Sequence, residues 1–301
     1  RPRNSNRCLE GGFSVNVILG AAQLGMSYGV ANSKGQLSNR GVQHILDAAH
    51  RSGFTEIDTA VNYGKSEESI GRFATVPFHI TTKIDLSQSD SFYDRTRSLV
   101  LESRDRLGKN HLDTVLLHKP SELLEPKGDE IWCALSDLKH EGLISRIGYS
   151  LYYPHELEQL YEDYRPDVVQ IPMNVFDVRF SLSGWLIKLR TDGVEVYARS
   201  IFLQGLLLQS RAQRNAFFNK WLDRFEYLDS LVEKSSLSKL EYCINFVLQH
   251  ELIDKIVVGA ESPEQISEIA DAAVKSVSGL SAVATGVEDE NLILPQKWVL
   301  E

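Results

Sequence analysis

The sequence predicts an α/β chain folded as a single (β/α)8 TIM barrel. Three observations carry the prediction. Eight strand–helix units can be counted, with short β-branched apolar runs as strands and a 3.6-residue period in the segments between them. Three of the apolar runs close on a polar residue, at Asp58, Lys83 and His118. In a parallel barrel such strand ends share one rim, where reacting side chains belong. No Gly-x-Gly-x-x-Gly follows the first run, which counts against a doubly wound open sheet.

Strand one is expected over Val15 to Gly20, followed by a glycine-punctuated rim loop over 21–29. Ser38 or Asn39 caps a helix over 40–52, apolar at Val42, Ile45, Leu46 and Ala49. Strand two spans Thr55 to Asp58, a short helix Lys65 to Phe73, and strand three ends at Lys83. Helical periodicity covers Asp90 to Leu107, and Asp113 to Leu117 reads as strand four. The helix over Asp129 to His140 is stopped by Gly142. Strand five is Ile144 to Tyr149, and a proline opens the helix over Pro154 to Tyr161. Strand six is Val168 to Ile171, a helix spans Leu182 to Arg190, and strand seven is Val194 to Ala198. Two helices are expected next, Arg211 to Lys234 and Lys239 to Gln249, then strand eight at Lys255 to Val258 and a last helix over Pro263 to Val274. The whole chain, 1–301, reads as one barrel. Residues 1–14 are expected to be a flexible lead, and the tail over 276–301 to dock back through Leu292-Ile293-Leu294-Pro295 and Trp298.

Composition narrows the function. Hydrophobic residues make up 43% of 301, enough for a large core. A net charge of −9 and a pI near 5.5 count against nucleic-acid or anionic-membrane partners. Arg1, Arg3 and Arg7 form only a small basic end. No apolar stretch reaches membrane-spanning length, and the start lacks the apolar core of a signal peptide. The chain opens at Arg1 without an initiator methionine, as a trimmed chain or a piece of a longer one would. Cys8, Cys133 and Cys243 lie far apart with no C-x-x-C, which fits a reduced cytoplasmic protein. No second histidine or cysteine stands at zinc-ligand spacing, so no metal is expected.

The chemistry is expected at the strand ends. Lys83 closes an apolar run, where a lysine needs a partner, and Asp58 on the same rim supplies it. Tyr63 falls five residues past Asp58, beside Gly64. A lysine nearby lowers a phenol pKa, letting Tyr63 give or take a proton near neutral pH. His118 would hydrogen-bond the same substrate oxygen.

The Asp-Tyr-Lys-His order and spacing, with Asp58-Thr59-Ala60-x-x-Tyr63-Gly64, resembles the aldo-keto reductase family, from about Leu19 to the helix after Glu261. That resemblance implies an NADP(H)- or NAD(H)-dependent oxidoreductase, reducing an aldehyde or ketone with Asp58, Tyr63, Lys83 and His118 as catalytic residues. It also implies a cofactor lying extended across the rim. Gln170 resembles the residue that holds the carboxamide, with Ser150 beside it and Asn174 in support. Tyr197 or Arg199 lies where relatives place the ring-stacking and neighbouring residues. Ser200-Ile201-Phe202-Leu203-Gln204-Gly205 resembles the loop around the diphosphate, with amides near Gly205 meeting phosphate. Gly259-Ala260-Glu261, with Gln265, resembles the final cofactor loop, where a helix N-terminus favours phosphate. Two positions depart from the family pattern. Glu261, with Glu264 behind it, replaces a cation that would grip a 2′-phosphate, which weakens the preference for NADPH. Leu151 replaces an asparagine after Ser150. Substrate contacts are expected from Met26, Tyr28, Tyr152 and Phe176, with Tyr153, Arg179 and Arg199 as further rim candidates. The stretch Arg199 to Leu208 resembles a branch associated with carbohydrate biosynthesis, implying a sugar-like carbonyl or alcohol substrate for a monomer or homodimer. The rival readings are a cofactor-binding regulatory or redox-sensing barrel with little turnover, like the potassium-channel β-subunit relatives, and a lyase or isomerase using Lys83 as a Schiff base.

Overall fold

Eight parallel strands close on themselves in sequence order, β1 to β8, with β1 pairing β8. The computed structural model describes residues 16–30, 32, 35–86, 91–283 and 289–300. The expected lead over 1–14, with its three arginines and Cys8, lies outside them. In chain order the elements are β1 Val17–Gly20, α1 Ala22–Gly25, α2 Asn39–Arg51, β2 Glu56–Asp58, α3 Ser66–Phe73, β3 His79–Ile84 and α4 Phe92–Arg106. They continue with β4 Leu112–Leu117, α5 Gly128–His140, β5 Ile144–Ser150, α6 Pro154–Leu160, β6 Val168–Pro172, α7 Arg179–Leu182 and α8 Trp185–Thr191. The last are β7 Glu195–Arg199, α9 Leu222–Ser235, α10 Lys239–Leu248, β8 Lys255–Gly259, α11 Pro263–Val274 and α12 Glu290–Ile293.

Side chains alternate across each strand, and this divides the core in two. Outward residues such as Val17, Leu19, Val115 and Ile171 pack beneath the helices in one continuous cluster. Inward residues Ile18, Leu116, Val168 and Tyr197 form a small separate plug inside the barrel, with Val257 against it. A parallel sheet covered on both faces needs such runs of buried apolar residues.

Three segments differ from the sequence expectation. The rim loop after β1 winds into the single helical turn α1. The helix expected over 182–190 begins later, as α8 at Trp185, and Leu182 instead ends the separate turn α7, because Gly184 sits at φ +82° and the Ser183 hydroxyl accepts the Trp185 amide. The stretch from 211 begins as turns and a 3-10 segment, Ala216–Trp221, before α9 starts. Beyond α11, Leu292, Ile293 and Leu294 are buried and Trp298 stacks edge-on against Phe218.

Candidate active site

Above the plug, one inward position per strand faces the rim. Those positions are Gly20, Asp58, Lys83, His118 just past β4, Ser150, Gln170, Arg199 and Gly259, and all eight line one cleft of about 610 Å³. The register sets them side by side: Gly20 opposite both Asp58 and Gly259, and Ser150 opposite Gln170. Tyr63 joins from the loop after β2.

That loop is held from behind. The Thr59 hydroxyl donates to Ser66 Oγ at 2.9 Å, and Ser66 donates to the Ala21 carbonyl at 2.8 Å. Gly25 of α1 packs directly on the turn: a Cβ there would fall 1.9 Å from the Tyr63 carbonyl oxygen. Gly64 answers it at φ +57°, the left-handed region that favours glycine.

Lys83, 1% exposed, donates from Nζ to Asp58 Oδ1 at 2.5 Å and to the Thr59 carbonyl at 3.0 Å. Asp58 Oδ2 accepts the Gln170 amide at 2.7 Å. The chain of bonds runs on, from Ser150 Oγ to Gln170 Oε1 at 3.4 Å and from Arg199 Nε to Ser150 Oγ at 3.2 Å. Lys83 Nζ lies 5.1 Å from the Tyr63 ring centre, and the Tyr63 and His118 rings meet edge-on at 5.9 Å. Burial lowers the Lys83 pKa, against the pull of Asp58.

The pKa expectation for Tyr63 is corrected here. Its phenol is pushed well above 10, first by burial and then by the Asp58 carboxylate, with Arg199 opposing. Lys83 spends its charge on Asp58, so the phenol keeps its proton across the neutral range. Tyr28 rises to about 12 through burial and the neighbouring Tyr63. His118 falls to about 4, through burial and then the charges of Lys83 and Arg199, so its imidazole is neutral at pH 7. Its Nδ1 is buried without a hydrogen-bond partner.

A model of the Aldo/keto reductase family matches residues 16–279. The chain belongs to that family. It is 28% identical over 234 residues to the glyoxal reductase of Bacillus subtilis, across 75% of this chain and 76% of the relative. It is 24% identical over 307 residues to the D-threo-aldose 1-dehydrogenase of a Pseudomonas species, across 87% and 93%. Among solved structures, its fold is similar to that of an aldo-keto reductase from Bacillus halodurans in its holo form. That likeness has a TM-score of 0.75 at 20% identity, over 93% of this chain and 96% of the other.

Against the family pattern, the cleft gathers Asp58, Tyr63, Lys83, His118, Ser150, Gln170, Ser200, Gly205, Gly259, Glu261, Gln265, Tyr28 and Tyr152. Four expected residues do not line it. Tyr197 shares Arg199's inward face but sits one layer lower, and its hydroxyl donates to Glu195 at 2.8 Å. Leu203 is fully buried at φ +45°, beneath the cleft-lining Phe202 and Gln204. Phe176 is buried against Phe225, with ring centres 5.2 Å apart. Met26 caps α1 outside the cleft. Tyr153 and Arg179 also lie outside: the guanidinium pairs with Asp177 at 2.7 and 2.8 Å and covers the Tyr153 ring. Asn174 holds the β7 loop through the Ser200 carbonyl at 3.0 Å.

At the two expected phosphate positions the amides have partners within the chain. The Gly205 amide donates to the Phe202 carbonyl at 3.0 Å. At α11 the Glu261 amide donates to Gln265 Oε1 and the Gln265 amide to Ser262 Oγ, so the helix end is capped by its own side chains. What the sequence reading missed is a set of glutamines lining the cleft beside Gln204 of the expected loop: Gln23, Gln209, Gln213 and Gln296. Gln209 and Gln213 stand four residues apart just after the β7 loop, a spacing that could have flagged them.

Proposed function

We propose that the chain is an NAD(P)(H)-dependent carbonyl reductase that converts a small aldehyde or ketone, sugar-like ones included, to the alcohol. The carrying observation is that Asp58, Tyr63, Lys83 and His118 meet on one wall of a cleft that also offers amide and hydroxyl donors along its length. That donor set fits a dinucleotide: Ser150 and Gln170 for the carboxamide, Ser200 and the glutamines for the phosphates and riboses. Glycine at 259 leaves room for the Gln23 amide, which a Cβ would approach to 2.6 Å. The nicotinamide, when bound, supplies the hydride to the carbonyl carbon. Tyr63 then gives its proton to the carbonyl oxygen, and the raised phenol pKa keeps that proton available. Neutral His118 hydrogen-bonds the same oxygen and fixes its direction. Asp58 and the Thr59 carbonyl anchor the Lys83 ammonium beside the tyrosine ring, and the Gln170 amide holds the Asp58 carboxylate. Alcohol oxidation uses the same groups in reverse.

Among the described residues, Lys83 and Arg199 are the lysine and arginine that line the cleft, while Glu261 and Glu268 face it from the β8 side. A 2′-phosphate there meets carboxylates, so the reading includes NADH use at least equal to NADPH use. It also includes a cytoplasmic setting, supported by Cys133 and Cys243 as free thiols. No described helix is long and apolar enough to cross a membrane.

Tyr63→Phe tests the reading with glyoxal as substrate. Turnover should fall about 10²- to 10⁴-fold while the Kd for NADH and NADPH stays within about threefold. Loss of nucleotide affinity together with turnover would show that Tyr63 does something else.

A further inference from the structure

Arg199 is a half-buried guanidinium lining the cleft with no carboxylate in ion-pair range among the described residues. Each of its hydrogen bonds goes to a neutral acceptor: Nε to Ser150 Oγ at 3.2 Å, Nη1 to Ser200 Oγ at 3.2 Å and Nη2 to the Leu151 carbonyl at 2.9 Å. The Tyr152 ring lies under its plane, 4.3 Å from Cζ. Three of five N–H groups are thereby used for fixing the side chain, and one remains on each terminal nitrogen. That is the number a carboxylate or phosphate takes in a two-pronged contact.

The surroundings leave this charge in place. Asp58 is neutralised by Lys83, and His118 is neutral, so the tyrosine end of the cleft carries one net positive charge. A partly buried cation is costly unless paired, and the chain pairs Arg179 with Asp177 and Arg146 with Glu195. Arg199 is instead rigidly held and left open. Arg199 lines the same cleft as Tyr28, Tyr63 and His118.

We propose that Arg199 is a specificity-determining anion site, and that the substrate is a carbonyl compound bearing a carboxylate or phosphate. The proposal deepens the reductase reading and rests on it for the word substrate. The open fork is read by the acid group, while Tyr63 and His118 receive the carbonyl oxygen.

Calorimetry with benzoate and benzyl alcohol, on the protein with and without NAD+ or NADP+, tests the site apart from turnover. Wild type should bind benzoate at least tenfold more tightly than benzyl alcohol. Arg199→Gln should erase that preference, and Arg199→Lys, which keeps charge but not the fork, should restore part of it. In steady state, the kcat/KM ratio of 2- or 4-formylbenzoate over benzaldehyde should drop about 10- to 100-fold in Arg199→Gln, mostly through KM. Equal binding of the two probes to wild type, or a preference that survives Arg199→Gln, overturns the proposal. So does a tenfold loss of nucleotide affinity in Arg199→Gln with benzoate binding unchanged, because the fork then serves the cofactor. Arg199-dependent benzoate binding with no oxidation of NADH or NADPH by any of these aldehydes would sustain the anion site and sink the reductase reading. Turnover of both aldehydes without preference would do the opposite.

Discussion

Gly25→Ala isolates the contact that holds Tyr63 in place. Helix propensity alone favours the change, since alanine in a helix gains about 0.5–1 kcal/mol over glycine. The contact opposes it. The new Cβ would lie 1.9 Å from the Tyr63 carbonyl oxygen, 2.3 Å from the Ser66 amide nitrogen and 2.8 Å from Ser66 Cα. All three are backbone atoms, so no side chain can swing aside. Reaching an ordinary separation of roughly 3.5 Å moves the Tyr63 turn back by more than about 1 Å. Overpacking of this kind costs about 1–3 kcal/mol, which exceeds the propensity gain. The Tm should fall by a few degrees, at roughly 1.5–2 °C per kcal/mol for a chain of about 300 residues. A displacement of about 1 Å in a reacting group lowers turnover about 100-fold. The assay is thermal unfolding beside kcat for glyoxal reduction, with NADH affinity as control. Wild-type Tm in Gly25→Ala would refute the packing argument whatever the turnover. A lowered Tm with unchanged kcat would refute the link from α1 to Tyr63.

Asp58→Asn leaves the Lys83 ammonium buried without its counter-charge. Breaking such a pair costs about 3–5 kcal/mol, so the Tm should drop by about 5–8 °C, and a drop under about 3 °C would mean Lys83 is not charged there. Acid stability should report His118. Its folded pKa is about 4 against an ordinary value of 6.5, so the unfolded chain takes up a proton first. Stability is full above pH 6.5 and is lost as pH falls toward 4, by roughly 3 kcal/mol in all. His118→Asn should flatten that slope in Tm between pH 7 and 4.5, and parallel slopes for the two proteins would contradict the assigned shift.

The barrel was legible because each strand is a short apolar run with a sharp end. Asp58, Lys83 and His118 could be read as site residues for the same reason: a polar group closing such a run must be satisfied at the rim. The helix break at Gly184 was hidden because Leu182, Leu186 and Leu189 continue the apolar spacing across it, although Leu182 is 65% exposed. The choice between Tyr197 and Arg199 was out of reach for a different reason. Alternation puts both on the inward face, but which layer reaches the rim depends on the stagger of the closed barrel. Apart from the Gln209–Gln213 spacing, the glutamines come from short turns and single helical turns with no period to betray them.

The sign of the Tyr63 shift was out of reach on physical grounds too. From the sequence, a lysine near a tyrosine lowers the phenol pKa. In the folded chain Lys83 is committed to Asp58 at 2.5 Å, while burial first and then the Asp58 carboxylate act on the phenol in the upward direction. The opposing charge is Arg199, which the sequence offered only as a loose candidate. An anion seated on Arg199 would cancel that opposition and raise the phenol further. On the proposed reading, the acid group of the substrate therefore does two things at once: it anchors the carbonyl, and it holds the proton on Tyr63 until charge develops on the carbonyl oxygen.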